Sequence, residues 1–180
     1  MTKEPCYEVA RVPVERTLAL RREVLRPHLA LEEAVLPGDD DPATAAFAAL
    51  GEDGEVLSVA RVGPEPAPFA VEDVARAGLP EWRLRGMATR ADLRGRGIGS
   101  AVLDAVIAHV AAEGGGLLWC NARVPAVGLY RRAGFLTWGE EWVEPVIGPH
   151  VVMWREVAPG APPAVPRSGA RPAPGTTVSG

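Results

Sequence analysis

The run Arg94-Gly95-Arg96-Gly97-Ile98-Gly99-Ser100 is the stretch of the chain best suited to chemistry. It lies between a strand pattern and a long helix pattern. Alternating glycines let a backbone approach a ligand closely, because no Cβ stands in the way. Their amide N–H groups, with those of the following helix start, form a concave nest for an anion. Arg94 and Arg96 add charge suited to phosphate. A plain tight turn needs one glycine, not three beside two arginines. The phosphate-loop pattern G-x-x-x-x-G-K-[ST] is absent. The dinucleotide fingerprint also fails: Ser100 replaces its third glycine, and no carboxylate ends the next strand, Leu117 to Asn121.

Few other side chains form a recognisable reactive set. Asp39-Asp40-Asp41 is acidic enough for a cation, but no EF-hand spacing follows, so a solvated loop is expected. Cys6 and Cys120 make neither a disulfide framework nor a zinc pattern, which fits a reducing compartment and a cytoplasmic address. His150 precedes the last strand pattern. An imidazole there is a candidate proton acceptor near neutral pH. His109 falls at a mostly solvent-facing position of the long helix, and His28 follows Pro27.

These residues need elements to hold them. Tyr7 to Val12 reads as a strand and Val14 to Leu25 as a helix, with a second short helix over Leu29 to Leu36. Thr44 to Leu50 and Val56 to Val62 flank a turn containing Asp53-Gly54, a strong hairpin signal. Residues 63–68 hold three prolines and read as a loop; Val71 to Gly78 is expected to make one or two helical turns. Residues 82–89 read as a strand. The pleat places Trp82, Leu84, Gly86 and Ala88 on one face and Arg83, Arg85, Met87 and Thr89 on the other. From Gly97 to Glu113, Ile98, Val102, Val106 and Val110 recur every four residues, an amphipathic helix stripe. Pro125 to Ala133 is a short helix stopped by Gly134, and Phe135 to Val143 and His150 to Val157 are the closing strands. The order predicts an α/β fold: a mixed twisted sheet with helices on both faces.

Length and composition bound the rest. The chain has 180 residues, one domain's worth, and a net charge of −4. A mildly acidic chain has no bulk attraction for nucleic acid or an anionic membrane, so neither is an expected partner. No apolar run is long enough for a membrane helix, and the start lacks a signal-peptide pattern. Residues 1–157 are expected to form the domain. Residues 158–180, rich in proline and glycine with no aromatic residue, read as a disordered tail.

Met87-Ala88-Thr89 followed by Arg94-Gly95-Arg96-Gly97-Ile98-Gly99 resembles the coenzyme A signature of GCN5-related N-acetyltransferases, [QR]-x-x-G-x-[GA] after a strand. Ala126-Val127-Gly128-Leu129-Tyr130-Arg131-Arg132-Ala133-Gly134-Phe135 resembles the later A-x-x-L-Y-x-x-x-G-F helix of that family. The resemblance implies a mostly antiparallel sheet of about seven strands, splayed in the middle. It implies acetyl-CoA as co-substrate and a small-molecule or peptide amine as acceptor, in a monomer or homodimer. The backbone of Met87, Ala88 and Thr89 is then expected to pair with the pantetheine arm. The N–H groups from Arg94 to Ser100 would hold the pyrophosphate, and Tyr130 would protonate the departing thiolate. The alternative is a coenzyme-A-binding sensor without turnover.

Three departures from the family pattern stand out. Arg123 occupies the position where many members place a cofactor-touching asparagine; it would reach a phosphate or lie in solvent. Arg83 occupies the position of a glutamate base found in some members, and a guanidinium cannot accept a proton. No carboxylate on that face is nearer than Glu81. The base is therefore open between His150, a water relay through Glu81, and none. Arg83 and Arg85 suggest either an anionic acceptor or pairing with glutamates across the sheet.

Overall fold

The structure, a computed structural model, describes residues 6–70 and 78–160. The helical turns expected over Val71 to Gly78, apart from Gly78 itself, and the tail beyond Gly160 lie outside those residues. Seven strands form one sheet in the order β1-β2-β3-β4-β5-β7-β6: β1 (Tyr7–Val12), β2 (Ala45–Gly51), β3 (Val56–Pro64), β4 (Glu81–Thr89), β5 (Gly116–Arg123), β6 (Leu136–Glu144) and β7 (Gly148–Val157). Every pairing is antiparallel except β4 with β5. Among the described residues three helices accompany it: α1 (Glu15–Leu25), α2 (Ile98–Ala112) and α3 (Val127–Arg132). The expected second helix over Leu29 to Leu36 is only a three-residue 3-10 turn, Glu32–Ala34.

The α2 stripe forms as its spacing predicts. Ile98, Val102, Leu103, Val106 and Val110 are fully buried against Leu57, Ala60, Val62 and Leu84 of the sheet. On the opposite face, α1 covers Ala46, Ala48, Val59 and Ala88 with Leu20. Burying each such aliphatic side chain contributes roughly 1.5–3 kcal/mol. His109 departs from the solvent-facing expectation. Its ring lies 5.6 Å from Phe47 and 6.0 Å from Trp82, and burial lowers its pKa.

The α1 face also buries a charged network that the sequence did not announce. Asp39 accepts from Arg21 at 2.9 Å and lies 2.7 Å from Arg61 Nε. The two guanidiniums donate onward to the carbonyls of Ala34 and Pro37. The acidic run thus contributes one buried anchor, which pins residues 34–39 over the sheet.

β4 is bent by a bulge. Arg85 pairs with Arg61 and Ala88 with Val59, so Gly86 and Met87 together oppose Ala60. Gly86 has φ 61°, a left-handed conformation that favours glycine. The bulge reverses the pleat alternation. Leu84 joins the α2-side core while Ala88 joins the α1-side core, and Met87 packs with the former. The expectation that Arg83 and Arg85 share a face with Met87 and Thr89 therefore fails at Gly86.

Candidate active site

β4 and β5 pair only from Glu81–Leu117 to Arg83–Trp119. Beyond that point they part. β5 stays paired with β7 as far as Arg123–His150, and β4 stays on β3. The inner edge of β4 from Leu84 onward faces a gap with N–H and C=O groups that no strand takes up. Such groups, away from bulk water, call for a partner. The gap opens into a cavity of about 1020 Å³.

One end of the cavity is the glycine turn. Gly97, with φ 79°, is the N-cap of α2, and the first intrahelical bond runs from Ala101 N–H to its carbonyl. The N–H groups of Ile98, Gly99 and Ser100 have no intrahelical acceptor and mark the positive end of the helix dipole. The Ile98 side chain itself is core, so only its backbone is available. A Cβ on Gly99 would lie 3.0 Å from Thr89 Oγ1 and 3.4 Å from Met87 Cε, which shows how closely the turn approaches β4.

Met87, Ala88, Thr89, Arg94, Gly95, Gly97, Ile98, Gly99, Ser100 and Arg123 all line this cavity, as do Tyr130 and His150. Arg96 does not; it is exposed outside it. Arg123 does not lie free in solvent. It donates to the Leu25 carbonyl at 2.6 Å, joining the end of β5 to the open end of α1. Burial, then Arg26 and Arg94, lower its pKa. Arg26 and Arg132 also line the cavity and were not singled out from sequence. No motif carries them: Arg26 only precedes the proline that ends α1.

The family's tyrosine motif has a physical explanation here. Phe135 N–H donates to the Tyr130 carbonyl at 3.0 Å and Gly134 N–H to the Arg131 carbonyl at 3.0 Å. Gly134 has φ 82°. This is a Schellman cap, and its usual apolar contact is the edge-to-face meeting of Tyr130 and Phe135 at 5.5 Å. Tyrosine, glycine and phenylalanine at this spacing thus end α3 and fix the Tyr130 ring. Burial, with Cys120 beside it, raises the Tyr130 pKa well above its ordinary value, so the phenol stays protonated.

His150 lies within β7 rather than before it, stacked on Trp142 at 5.7 Å. Its Nδ1 is 2.8 Å from the Gly148 carbonyl. A carbonyl only accepts, so Nδ1 carries the proton and Nε2 is the free nitrogen. Glu81 is not on the cavity wall; its carboxylate accepts the Ala67 N–H. Arg83 and Arg85 are on the wall, and both donate to Glu65, at 2.5 and 2.8 Å. The predicted pairing with a glutamate is therefore present. No cluster of His, Cys, Asp or Glu suited to a metal occurs among the described residues.

A mostly antiparallel sheet parted at its one parallel pair, β4 and β5, a helix N-terminus at one end of the gap and a buried tyrosine beside it meet on one cavity. Residues 14–135 match the Acetyltransferase (GNAT) family, and the chain belongs to that family. An uncharacterized N-acetyltransferase of Bacillus subtilis (strain 168), YitI, is 34% identical over 149 residues, covering 82% of this chain and 95% of the relative. Among solved structures, a Corynebacterium glutamicum protein described as histone acetyltransferase HPA2 and related acetyltransferase superposes with TM-score 0.64 at 22% identity, over 90% of this chain and 99% of that one. The ribosomal-protein-S18-alanine N-acetyltransferase of Escherichia coli superposes with TM-score 0.63 at 15% identity, over 86% and 96%. At those identities the two structures speak to the fold alone.

Proposed function

We propose that the chain transfers the acetyl group of acetyl-CoA to a primary amine of a small molecule or peptide. The observation that carries this reading is the convergence of three features on one cavity: the free edge of β4, the N-terminus of α2 and the hydroxyl-bearing face of α3. The edge of β4 offers amide partners to the pantetheine arm, in the manner of an added strand. The turn from Arg94 to Ser100 offers N–H groups and positive charge to the pyrophosphate. Arg26, Arg94, Arg123 and Arg132 make no ion pair among the described residues, so their charge is available to phosphates.

The amine nitrogen attacks the thioester carbonyl and a C–N bond forms. Negative charge gathers on oxygen, where a β4 N–H near Ala88 donates to it. As the C–S bond breaks, the sulfur takes the Tyr130 proton. The proton shed by the amine goes to His150 Nε2 or to water, and Tyr130 is reprotonated from solvent. The two unpaired cysteines fit a reducing compartment, and we place the reaction in the cytoplasm.

Release of free coenzyme A from acetyl-CoA, measured with and without a panel of primary amines, tests the reading. Amine-dependent release supports it. Binding of acetyl-CoA with no release for any amine favours a coenzyme-A sensor instead.

A further inference from the structure

We propose that the acceptor amine carries a carboxylate, and that Arg83 and Arg85 seat it. The inference rests on the acetyl-transfer reading above and names its substrate class. Among the described residues, six arginines and one glutamate, Glu144, line the cavity of a chain whose net charge is −4. Four of those arginines stand toward the phosphate end. Arg83 and Arg85 stand apart from them, on β4 ahead of the bulge.

Their only hydrogen-bond partner among the described residues is Glu65. Glu65 is held in place from both sides: its N–H donates to the Glu81 carbonyl at 3.0 Å, and Trp119 Nε1 donates to its own carbonyl at 2.9 Å. Arg83 is fixed further by lying 4.3 Å over the Trp119 ring. One carboxylate is thus shared by two rigidly placed guanidiniums, and the buried Nε of each has no partner among the described residues. Behind them, Arg61 feels both Arg85 and Glu65, as well as Arg21 and Asp39. Among the described residues of this connected set, four guanidiniums face two carboxylates.

A surplus of positive charge that is half removed from water is costly unless an anion completes it. Arg83 and Arg85 keep 17% and 19% of their side-chain surface exposed, and Glu65 keeps 35%, so the cluster is reachable from the cavity. A carboxylate meets a guanidinium fork in a planar, charge-assisted geometry. A polycationic amine meets like charge instead and is rejected. An amine of amino-acid character fits; a polyamine does not.

The test follows coenzyme A release from acetyl-CoA with three probes: the common α-amino acids, their carboxamides, and spermidine. Amidation makes the amine less basic and so more often neutral, which by itself favours the carboxamide. The inference expects the reverse, with kcat/KM for at least one free acid roughly ten-fold or more above its carboxamide, the scale of a hydrogen bond to a charged group. In Arg85→Gln that ratio falls towards one, mainly through KM, and Arg85→Lys restores part of it. In Glu65→Gln the ratio rises, because the competing carboxylate is gone. Carboxamides or spermidine used as well as the acids overturn the inference, as does a ratio unchanged in Arg85→Gln. Calorimetric binding of acetyl-CoA with no acid acetylated also overturns it, while leaving the cofactor site intact. Failure to bind acetyl-CoA at all defeats the transfer reading itself, and the inference with it.

Discussion

The Tyr130 phenol and the Cys120 thiol lie beside each other, both buried, where α3 meets β5 at the cavity wall. Burial keeps that phenol protonated. A thioester sulfur arriving in the gap between β4 and β5 would meet a protonated phenol on the cavity wall, which is the role proposed for Tyr130 in releasing the thiolate.

Tyr130→Phe keeps the ring, its packing on Phe135 and the α3 cap. It loses only the proton donor. Turnover is expected to fall by roughly ten- to a thousand-fold, the scale of one acid–base group. Acetyl-CoA affinity should change little. Steady-state kinetics with a good acceptor, paired with calorimetry, checks the split. Full turnover would remove Tyr130 from the chemical step.

Burial pushes the Cys120 thiol up to about 12 from 9.0. Above pH 9 the unfolded chain has lost this proton while the folded chain keeps it, so the folded state binds more protons. Stability must then fall as pH rises from 9 towards 12, with a limiting slope of about 1.4 kcal/mol per pH unit. Urea titrations of wild type and Cys120→Ala over that range measure the difference. Parallel pH profiles would contradict the assignment.

Gly134 and Gly86 are both left-handed, but their surroundings differ. A Cβ at Gly134 meets nothing nearer than Arg155 Nη1 at 3.6 Å, so Gly134→Ala should cost only the conformational strain, about 1–2 kcal/mol. A Cβ at Gly86 would lie 3.0 Å from both Cδ and Nε of Arg21, whose guanidinium is paired with Asp39. Gly86→Ala should therefore cost more, about 2–4 kcal/mol, by adding disturbance of a buried ion pair to the strain. Denaturant unfolding of the two variants gives the order; a smaller loss at Gly86 would show that the network yields freely.

The comparison of sequence with structure turns on a few of these residues. The α2 stripe and the Asp53-Gly54 hairpin were legible because local periodicity and turn chemistry decide them. The Tyr130 motif was legible because a Schellman cap demands fixed residue types, and the glycine turn because a left-handed Gly97 and the close approach of Gly99 to β4 favour glycine. The bulge at Gly86 was not: a single glycine in a strand pattern does not say which way the pleat slips. It placed Arg83 and Arg85 on the wrong face relative to Met87. Asp39 looked like loop solvent because its partners, Arg21 and Arg61, come from distant elements. His109 looked exposed because a helix pattern does not reveal that Phe47 and Trp82 close over its ring.

Arg94 is a cleaner probe of the phosphate end than the glycines. Gly97 is left-handed, and a side chain at Gly99 would press on Thr89, so changes there disturb the turn itself. Arg94→Ala should weaken acetyl-CoA binding by roughly three- to thirty-fold in dilute buffer, the scale of one charge-assisted contact. The loss should shrink in 1 M salt, where exposed charges are screened within about 3 Å. An equal loss at both salt concentrations would point to altered turn geometry rather than to charge.

Calorimetric titration of acetyl-CoA into the wild-type protein and into an Arg26→Ala, Arg94→Ala double variant tests the central claim most directly. The cavity between β4 and β5 predicts saturable one-to-one binding to the wild type with Kd below about 1 mM, and clearly weaker binding to the variant. No saturable heat with the wild type, or equal affinity in both proteins, would contradict the claim that this cavity is an acetyl-CoA site.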